Sequence, residues 1–202
     1  MMQINQIASS PPRTGRNLQR YNHGFRQVVG CIPYRKRKTN KPTPVEGTTI
    51  EDLEILLISS QKGPKMMFPK GGWELDEDIE LAASRETIEE AGVIGLLEDK
   101  LGAWVFKSKS QDKYHEGSMF PLLVTEELID WPEKNVRQRI WMTVNEAREV
   151  CAHSWMREAL EVFVHRFRLG EEPFTFCTIR VLHNQGFKTE HWSSKCRMKH
   201  LS

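Results

Sequence analysis

The chain has 202 residues, enough for one domain with a hydrophobic core but short for two. Hydrophobic residues make up 39% and charged residues 28%, an ordinary mixture for a globular protein, and the formal net charge of +2 does not indicate a nucleic-acid binder. No run of about 18 apolar residues is present, so the sequence predicts no membrane-spanning helix. The four cysteines form no C-x-x-C pair, which favours a reducing compartment over a disulfide-stabilised fold.

The N-terminal region has an unusual charge composition. Residues 1–17 predict a flexible arm, and residues 1–45 contain several arginines but no Asp or Glu. An acid-poor segment that carries arginines is typical of an organelle transit peptide. Alternatively, Arg20 and Arg26 belong to the folded domain and only a short arm precedes it. Both a mitochondrial and a cytosolic location therefore remain open.

Short segments rich in apolar, β-branched and aromatic residues predict β-strands. They lie at residues 25–34, 53–59, 66–68, 101–107 and 118–125. Residues 35–50 contain a basic run, two prolines and a glycine, and predict an exposed loop. Residues 78–91 predict a helix, with acidic residues at its N-terminal end and Gly92 as its C-terminal cap.

The C-terminal third of the chain predicts further helix and then a tail. Thr143 and Glu146 have the spacing of a capping box, which marks a helix start. Apolar residues at helical spacing then predict the buried face of a closing helix: Met156, Ala159, Leu160, Phe163 and Phe167. Residues 170–202 are basic and irregular, and we expect a disordered tail. Strands mixed with two or three helices, without regular βαβ alternation, predict an α+β fold, an α/β/α sandwich, over residues 18–169.

The helix predicted at 78–91 contains a crowded set of carboxylates. At about 100° per residue, Glu86, Glu89 and Glu90 fall within an arc of roughly 100°. Anions at the C-terminal end of a helix are unfavourable by about 0.3–1 kcal/mol each, and mutual repulsion adds to this. A divalent cation reverses both effects. Oxygen ligands favour Mg²⁺ or Mn²⁺, and the absence of a neighbouring His/Cys cluster argues against zinc.

Other residues of the same helix support a ligand site. Ala82 and Ala83 lie one turn before the glutamates on the same side, and we expect their small side chains to leave room for a ligand. Arg85 is placed to orient a carboxylate and to balance part of the charge. An acidic helix is more commonly a solvated surface, but a solvated surface does not account for the glycine pair Gly71-Gly72 upstream.

The glycine pair and the glutamates form one longer pattern. The sequence reads Gly71-x5-Glu77-x7-Arg85-Glu86-Thr87-x-Glu89-Glu90-x-Gly92-Val93. This pattern resembles the Nudix box, Gly-x5-Glu-x7-Arg-Glu-U-x-Glu-Glu-x-Gly-U, in which U is a bulky aliphatic residue and Thr87 is the one departure. The resemblance implies a Nudix fold, with a mixed central sheet and a loop–helix–loop catalytic motif. It also implies Mg²⁺- or Mn²⁺-dependent hydrolysis of nucleoside diphosphate derivatives or related polyphosphates.

The resemblance assigns roles to the residues of the box. It implies that Glu86 and Glu90 are the main metal ligands, and that Glu89 is the base for the attacking water or a further ligand. Glu77 would help to hold a metal, and a backbone carbonyl near Gly71 would complete the ligand shell. These roles suit the chemistry, because a cation neutralises the diphosphate and lowers the pKa of water, while a base must lie within hydrogen-bond reach of that water.

Further segments resemble the diphosphoinositol polyphosphate phosphohydrolase and diadenosine polyphosphate hydrolase subgroup, in its plant and fungal form. They are RYNHGFRQVVGCIPYR, PKGGWELDED and EELIDWPEKNVRQRIWMTVNEAREV. Because such substrates carry many negative charges, we expect basic residues to converge on the glycine loop. The candidate substrate-binding residues are Arg20, Arg26, Lys62, Lys70, Gly71, Gly72, Arg137 and Arg139.

Two departures from the inositol-pyrophosphate enzymes favour a linear dinucleotide polyphosphate as substrate. Those enzymes carry an Arg shortly before the strand at 118–125, where this chain reads HEGSMF, and a Lys at the start of the last helix, where this chain has Trp155. A nucleotide base would then stack on an aromatic residue, for which Trp73 and Trp155 are the candidates. We therefore expect diadenosine polyphosphates or related compounds as substrates.

Three other functions compete with this interpretation. One is a diphosphoinositol polyphosphate phosphatase. The second is a non-catalytic sensor with the same fold that binds a nucleotide, against which the complete set of Glu86, Glu89 and Glu90 argues. The third is an RNA 5′-cap hydrolase, which would need a continuous basic surface built from the basic run at 35–41 and the basic tail.

Overall fold

The computed structural model describes residues 15, 17–37, 49–61, 63–108 and 113–170. Residues 1–14 and 16 of the predicted arm, residues 171–202 of the predicted tail and most of the predicted loop at 35–50 lie outside the described residues. Lys62, a candidate substrate-binding residue, also lies outside them.

In the described part of the chain, nine strands form one mixed sheet. They are β1 (Tyr21–Asn22), β2 (Phe25–Lys36), β3 (Leu53–Ser60), β4 (Gly63–Met67), β5 (Lys70–Gly72), β6 (Val93–Leu97), β7 (Gly102–Lys107), β8 (Tyr114–Glu127) and β9 (Arg139–Thr143). The order along the sheet is β4-β3-β2-β8-β6. Strands β1 and β5 also pair with β2, β7 with β8, and β9 with β3. Strands β2 and β8 are parallel, and the other pairings are antiparallel.

Among the described residues, three α-helices complete the fold: α1 (Ile79–Ala91), α2 (Val144–Val150) and α3 (Ser154–Arg168). On β2, the Cys31 thiol donates to the carbonyl of Ala83 on α1, whereas the Tyr34 ring lies 5.0 Å from the Phe163 ring on α3. Residues an odd number of positions apart in a strand point to opposite faces, so α1 and α3 cover opposite faces of the sheet. This arrangement confirms the predicted α+β fold and its α/β/α sandwich.

The predicted strands are present, and most extend further than predicted. The segments at 25–34, 53–59 and 118–125 lie within β2, β3 and β8, and 101–107 corresponds to β7. The strand predicted at 66–68 runs instead over Gly63–Met67 and stops before Phe68. Four strands were not predicted, β1, β5, β6 and β9. They have between two and five residues each, too few for a clear hydrophobic period.

The signals predicted for the end of α1 and for the start of α2 are both confirmed. Helix α1 ends at Ala91, and Gly92 follows it with a φ of +63°, the left-handed cap that glycine provides without strain. At the start of α2, the Thr143 hydroxyl accepts from the Glu146 amide at 3.2 Å and the Glu146 carboxylate accepts from the Thr143 amide at 2.7 Å. Among the described residues, no helix combines the length and apolar composition that a membrane crossing requires.

The hydrophobic core confirms one expectation and corrects another. Met156, Ala159, Leu160 and Phe163 of α3 are buried as predicted, and Phe167 packs partly against them. Ala82 and Ala83 were expected to leave room for a ligand beside the glutamates, but both are fully buried in the core. Their small side chains let α1 lie close to the sheet instead.

Candidate active site

Arg85 joins the glycine loop to helix α1. Its guanidinium donates to both oxygens of Glu77, at 2.9 and 2.7 Å, and to Glu86 Oε1 at 2.9 Å. A further bond reaches the backbone carbonyl of Gly72 at 2.9 Å, and Glu89 lies 3.5 Å away. Arg85 therefore contacts three carboxylates of the predicted site, whereas its position in the sequence predicted that it would orient one.

Glu77 supports this arrangement from the loop. Its side chain is only 1% exposed, and both of its oxygens face Arg85. Glu77 Oε1 also accepts from the backbone N–H of Glu74 at 3.1 Å. In this structure the Glu77 carboxylate therefore holds Arg85 and the loop in place.

The Glu86 carboxylate lies against the backbone of Gly71. A Cβ atom built on Gly71 would stand 1.9 Å from Glu86 Oε2, so no other residue fits at this position without moving the carboxylate. Strand β5 carries the glycine and pairs with Val29 of β2. The glycine pair of the sequence thus forms a cradle that brings backbone and carboxylate oxygen into close contact.

Glu90 faces the same strand from one turn further along α1. Its Oε2 accepts from the backbone N–H of Lys70 at 2.8 Å, and its Oε1 accepts from the Arg137 guanidinium. Arg137 also donates to Glu133 and to the carbonyl of Ser59. A residue that the sequence suggested for substrate binding therefore contacts a predicted metal ligand directly.

Burial makes the anionic forms of these glutamates unfavourable. It raises the pKa of Glu86, although the Arg85 charge lowers it in part. Burial, together with repulsion by Glu86, raises the pKa of Glu89 to about 7. Burial raises the pKa of Glu90 to about 7 as well, against the opposing charges of Lys70 and Arg137. A nearby cation would reverse these shifts, because it stabilises the charged carboxylates.

The donor set fits a hard divalent cation, although its side chains are not gathered around one. In the part of the chain that the structure describes, no three His, Cys, Asp or Glu side chains form a ready metal-binding group. Arg85 and Arg137 take up carboxylate oxygens that would otherwise repel one another. The buried Glu89 and Glu90, with Glu86 (12% exposed) against the Gly71 cradle, have the oxygen chemistry that Mg²⁺ and Mn²⁺ require. Glu86 and Glu90 would hold the ion, with Glu89 beside them.

Two further candidate substrate-binding residues lie beside the glycine loop. The Arg20 guanidinium stacks 4.1 Å above the Trp73 ring and donates to the carbonyls of Glu74 and Leu75. Arg26 Nε donates to Gln19 at 2.7 Å. Together with Lys70 of β5, they bring three positively charged residues to this loop, and their role in substrate binding stays a prediction.

Arg139 lies elsewhere. It donates to the carbonyls of Gly92 and Leu128, each at 2.8 Å, and to that of Ala91 at 3.1 Å. Its guanidinium also stacks on Trp131 at 4.2 Å. These contacts hold the C-terminal end of α1, and they differ from the expected convergence of Arg139 on the glycine loop.

Sequence reasoning missed two residues of the site. Gln19 is buried and donates to the carbonyls of Gln27 and Trp73, and a Cβ on Gly72 would stand 2.2 Å from its side-chain oxygen. Glu133 binds Arg137, and its backbone N–H donates to the Glu89 carbonyl at 3.1 Å. The spacing of four residues between Glu133 and Arg137 was the only local signal for either one.

The two tryptophans considered for base stacking differ in accessibility. Trp155 is 5% exposed and stacks on Phe106, with ring centroids 4.5 Å apart, so it belongs to the core and has no face free for a base. Trp73 is half-buried, donates from its indole nitrogen to the Glu77 carbonyl, and has one face covered by Arg20.

A mixed sheet between helices, with a glycine loop facing three glutamates of one helix, defines a Nudix-type site. The family model of the NUDIX domain matches residues 41–163. Nudix hydrolase 17, mitochondrial, of Arabidopsis thaliana is 58% identical over 82% of this chain and 88% of its own length. Diphosphoinositol polyphosphate phosphohydrolase 3-alpha of Mus musculus is 34% identical over 74% of this chain and 82% of its own length.

The fold has counterparts among solved structures. The Ap4A hydrolase of C. elegans superposes with a TM-score of 0.52 at 19% identity, over 70% of this chain and 97% of that one. At this identity the likeness concerns the fold alone. The family model and the sequence relatives show that this chain belongs to the Nudix hydrolase family. It is therefore a hydrolase of pyrophosphate bonds, in a family that generally uses divalent cations and binds nucleotide or polyphosphate substrates.

Proposed function

We propose that this chain is a Mg²⁺- or Mn²⁺-dependent pyrophosphohydrolase of linear nucleoside diphosphate derivatives, with diadenosine polyphosphates as the preferred class. The proposal rests on a difference in the polar contacts that the three glutamate side chains make. Glu86 and Glu90 are bound by Arg85, Lys70 and Arg137. Glu89 has one polar side-chain contact among the described residues, with Arg85 at 3.5 Å. It is the carboxylate most available to accept a proton.

The residues of the site then divide the chemistry among them. When bound, the cation neutralises the diphosphate and lowers the pKa of water. Glu89, which a bound cation would keep ionised near neutral pH, accepts the proton of the attacking water. The water oxygen forms a bond to phosphorus, the anhydride P–O bond breaks, and the bond electrons leave with the second phosphate. Lys70, Arg20 and Arg26 bind the negative charge along the glycine loop.

The absence of two expected cations favours a linear substrate over an inositol ring that carries many phosphates. In the HEGSMF stretch, His115 and Ser118 are buried in β8, and at the start of α3 Trp155 is buried against Phe106. Neither position presents a cation to a ligand. The second candidate is hydrolysis of diphosphoinositol polyphosphates, which the mouse relative at 34% identity favours by its name.

The experiment is a hydrolysis screen with four substrates and Mg²⁺. The substrates are a diadenosine polyphosphate, ADP-ribose, a dinucleotide cofactor and a diphosphoinositol polyphosphate, each with its products identified. We expect the first to be cleaved best. Glu89→Gln should lower kcat by roughly 10²–10⁴-fold, because it removes the base. Glu90→Gln should also lower kcat and should weaken the dependence on Mg²⁺.

The matched control is Glu80→Gln, which neutralises an exposed glutamate of the same helix and should leave kcat unchanged. Binding of a substrate without any hydrolysis by the wild type would establish the sensor function instead. Preferential cleavage of the diphosphoinositol compound would establish the second candidate. In a separate assay with capped RNA, release of the cap nucleotide would favour the cap hydrolase, whose basic segments at 38–41 and 171–202 lie outside the described residues.

We also propose a mitochondrial location. Residues 1–45 lack acids and carry arginines, and two relatives that are 58% and 59% identical bear the word mitochondrial in their names. A relative that is 55% identical is named chloroplastic, so a test must separate the two organelles. A fluorescent fusion to the C-terminus of the full chain should enter mitochondria, and removal of residues 1–17 should retain it in the cytosol. Chloroplast import, or cytosolic fluorescence of the full chain, would contradict the proposal.

A further inference from the structure

We propose that Arg137 is an internal counter-cation of Glu90 that competes with the divalent cation, and that Glu133 sets the strength of this competition. This inference rests on the metal-dependent function proposed above. It assigns Arg137 and Glu133 as positioning residues that tune the affinity for the metal. Neither residue belongs to the Nudix box.

The contacts of Arg137 leave little of its guanidinium free. The side chain is 8% exposed. Its Nη2 donates to Glu90 Oε1, its Nε donates to Glu133 Oε2, and its Nη1 donates to the Ser59 carbonyl at 3.0 Å. One guanidinium thus bridges helix α1, the end of β3 and the loop before β9.

Both oxygens of Glu90 are occupied in this arrangement. Oε2 accepts from the Lys70 amide at 2.8 Å and Oε1 accepts from Arg137, in a side chain that is 9% exposed. A divalent cation that binds Glu90 must therefore displace one of these donors or share an oxygen with it, and at Oε1 that donor is the charged Arg137. The positive charge of Arg137 also repels the ion directly, and at a partly buried site this repulsion is weakly screened. Arg137 therefore lowers the affinity for the metal.

Glu133 gives Arg137 a second anion to bind. The side-chain nitrogen of Gln61 donates to both carboxylate oxygens of Glu133, each at 3.1 Å, and helps to hold this carboxylate in position. When the metal takes Glu90, Arg137 keeps its bonds to Glu133 and Ser59, so it does not become an unpaired buried charge. Without the Glu133 charge, Arg137 would depend on Glu90 alone and would compete more strongly with the metal.

The experiment is a titration of Mn²⁺ without substrate, in which free Mn²⁺ is followed by electron paramagnetic resonance. Arg137→Met should bind Mn²⁺ more tightly than the wild type, by on the order of tenfold. Glu133→Gln should bind Mn²⁺ several-fold more weakly. In the double variant, Glu133→Gln added to Arg137→Met should not change the Mn²⁺ affinity further, because Arg137, through which Glu133 acts, is absent.

Two controls accompany the titration. Lys134→Met removes a neighbouring exposed positive charge that does not contact Glu90, and it should leave the Mn²⁺ affinity unchanged. Thermal unfolding in EDTA should show a lower Tm for Arg137→Met, because Glu90 loses its counter-cation, with a larger increase on addition of Mn²⁺. If Arg137→Met does not fold, Arg137→Gln should serve, since Gln removes the positive charge but keeps an amide donor for the neighbouring oxygens. It should also bind Mn²⁺ more tightly.

The possible outcomes separate this inference from the proposed function. Unchanged or weaker Mn²⁺ binding by the Arg137 variant would overturn the competition while the metal-dependent function stands. An equal loss on Glu133→Gln in both backgrounds would show that Glu133 binds the ion itself, which overturns its action through Arg137. A wild type that binds no divalent cation would overturn both proposals.

Discussion

Helices α1 and α3 cover opposite faces of the same sheet, but they bury different chemistry. Helix α3 buries only apolar side chains, and they are Trp155, Met156, Ala159, Leu160, Phe163 and Val164. Helix α1 buries Arg85, Thr87, Glu89 and Glu90 beside its alanines and Ile88. One helix therefore contributes to stability by ordinary burial of apolar surface, whereas the other withdraws charges from water.

The difference shows that burial is less favourable at the helix that carries the charged residues of the site. Apolar burial in α3 is favourable by itself. A buried charge is tolerable only when it is paired, and a buried ion pair is weak as a source of stability. In α1, each buried charge is paired with a residue of the site. The contacts that make the burial of these charges tolerable therefore also align the glutamates. Substitutions in each helix should show whether stability and activity separate between the two helices.

The largest effect is expected for Arg85→Met. It leaves Glu77 and Glu86 without their buried partner, and we expect a loss of roughly 3–5 kcal/mol in the free energy of unfolding, measured in urea without metal. Mg²⁺ should restore part of this loss, because the ion replaces the missing positive charge. Arg148→Met removes an arginine from the more exposed pair with Glu161, and it should cost less than about 1 kcal/mol. Equal losses for both variants would contradict the role given to Arg85.

Leu160→Ala tests the apolar helix. The side chain is fully buried, so its truncation should lower the free energy of unfolding by about 2–5 kcal/mol. At a temperature well below the unfolding midpoint, kcat and the Mn²⁺ affinity should stay close to those of the wild type. A change in metal affinity without a change in stability would show that the two faces of the sheet are coupled.

The pH dependence of stability should differ between the metal-free and metal-bound forms. The pKa values of Glu89 and Glu90 are raised to about 7 from the ordinary 4.5, so the folded state binds protons more strongly than the unfolded state. Their contribution is fully present below about pH 4.5 and is lost as the pH rises through 7. Without metal, Tm should therefore fall by about 5 °C between pH 6 and pH 8. Saturating Mg²⁺ should abolish this fall.

The control for this measurement is Glu89→Gln together with Glu90→Gln, which cannot titrate at these positions. The double variant should show a flatter dependence of Tm on pH without metal. A fall of the same size in the double variant would assign the pH dependence to other groups.

The smallest effect is expected for Thr143→Ala at the start of α2. The variant removes an N-cap that accepts from the Glu146 amide, and it should cost about 1 kcal/mol in unfolding free energy. It should change neither kcat nor Mn²⁺ affinity, because α2 carries no residue of the site. Thr143→Ser, which keeps the hydroxyl, should retain most of the stability.

Local patterns predicted much of the fold. The helix expected at 78–91 is observed at Ile79–Ala91 with its glycine cap, and the capping box and the apolar face of α3 are also present. These features depend on residues within one or two turns of each other. The burial of Ala82 and Ala83 was missed because it depends on how closely β2 approaches α1, which no local pattern contains.

The residues of the site likewise fall into two groups, those predicted from local spacing and those that depend on contacts between distant segments. The spacing of the glutamates is local, so their common side of the helix followed from the helical period. The pair of Arg137 with Glu90 joins residues 47 positions apart, and Gln19 reaches Trp73 across 54 positions. Contacts at such separations depend on strand pairing, in particular on β5 and β9, which were too short to predict.

The amino-acid order by itself therefore determined which helix carries the charges, where that helix ends and which carboxylates share a side. Only the tertiary structure decided which cation faces each carboxylate: Arg85 for Glu77 and Glu86, and Arg137 for Glu90. The reason is physical. A helical period is a property of neighbouring residues, whereas the electrostatic environment of a buried charge depends on every segment that the fold brings within a few ångströms of it.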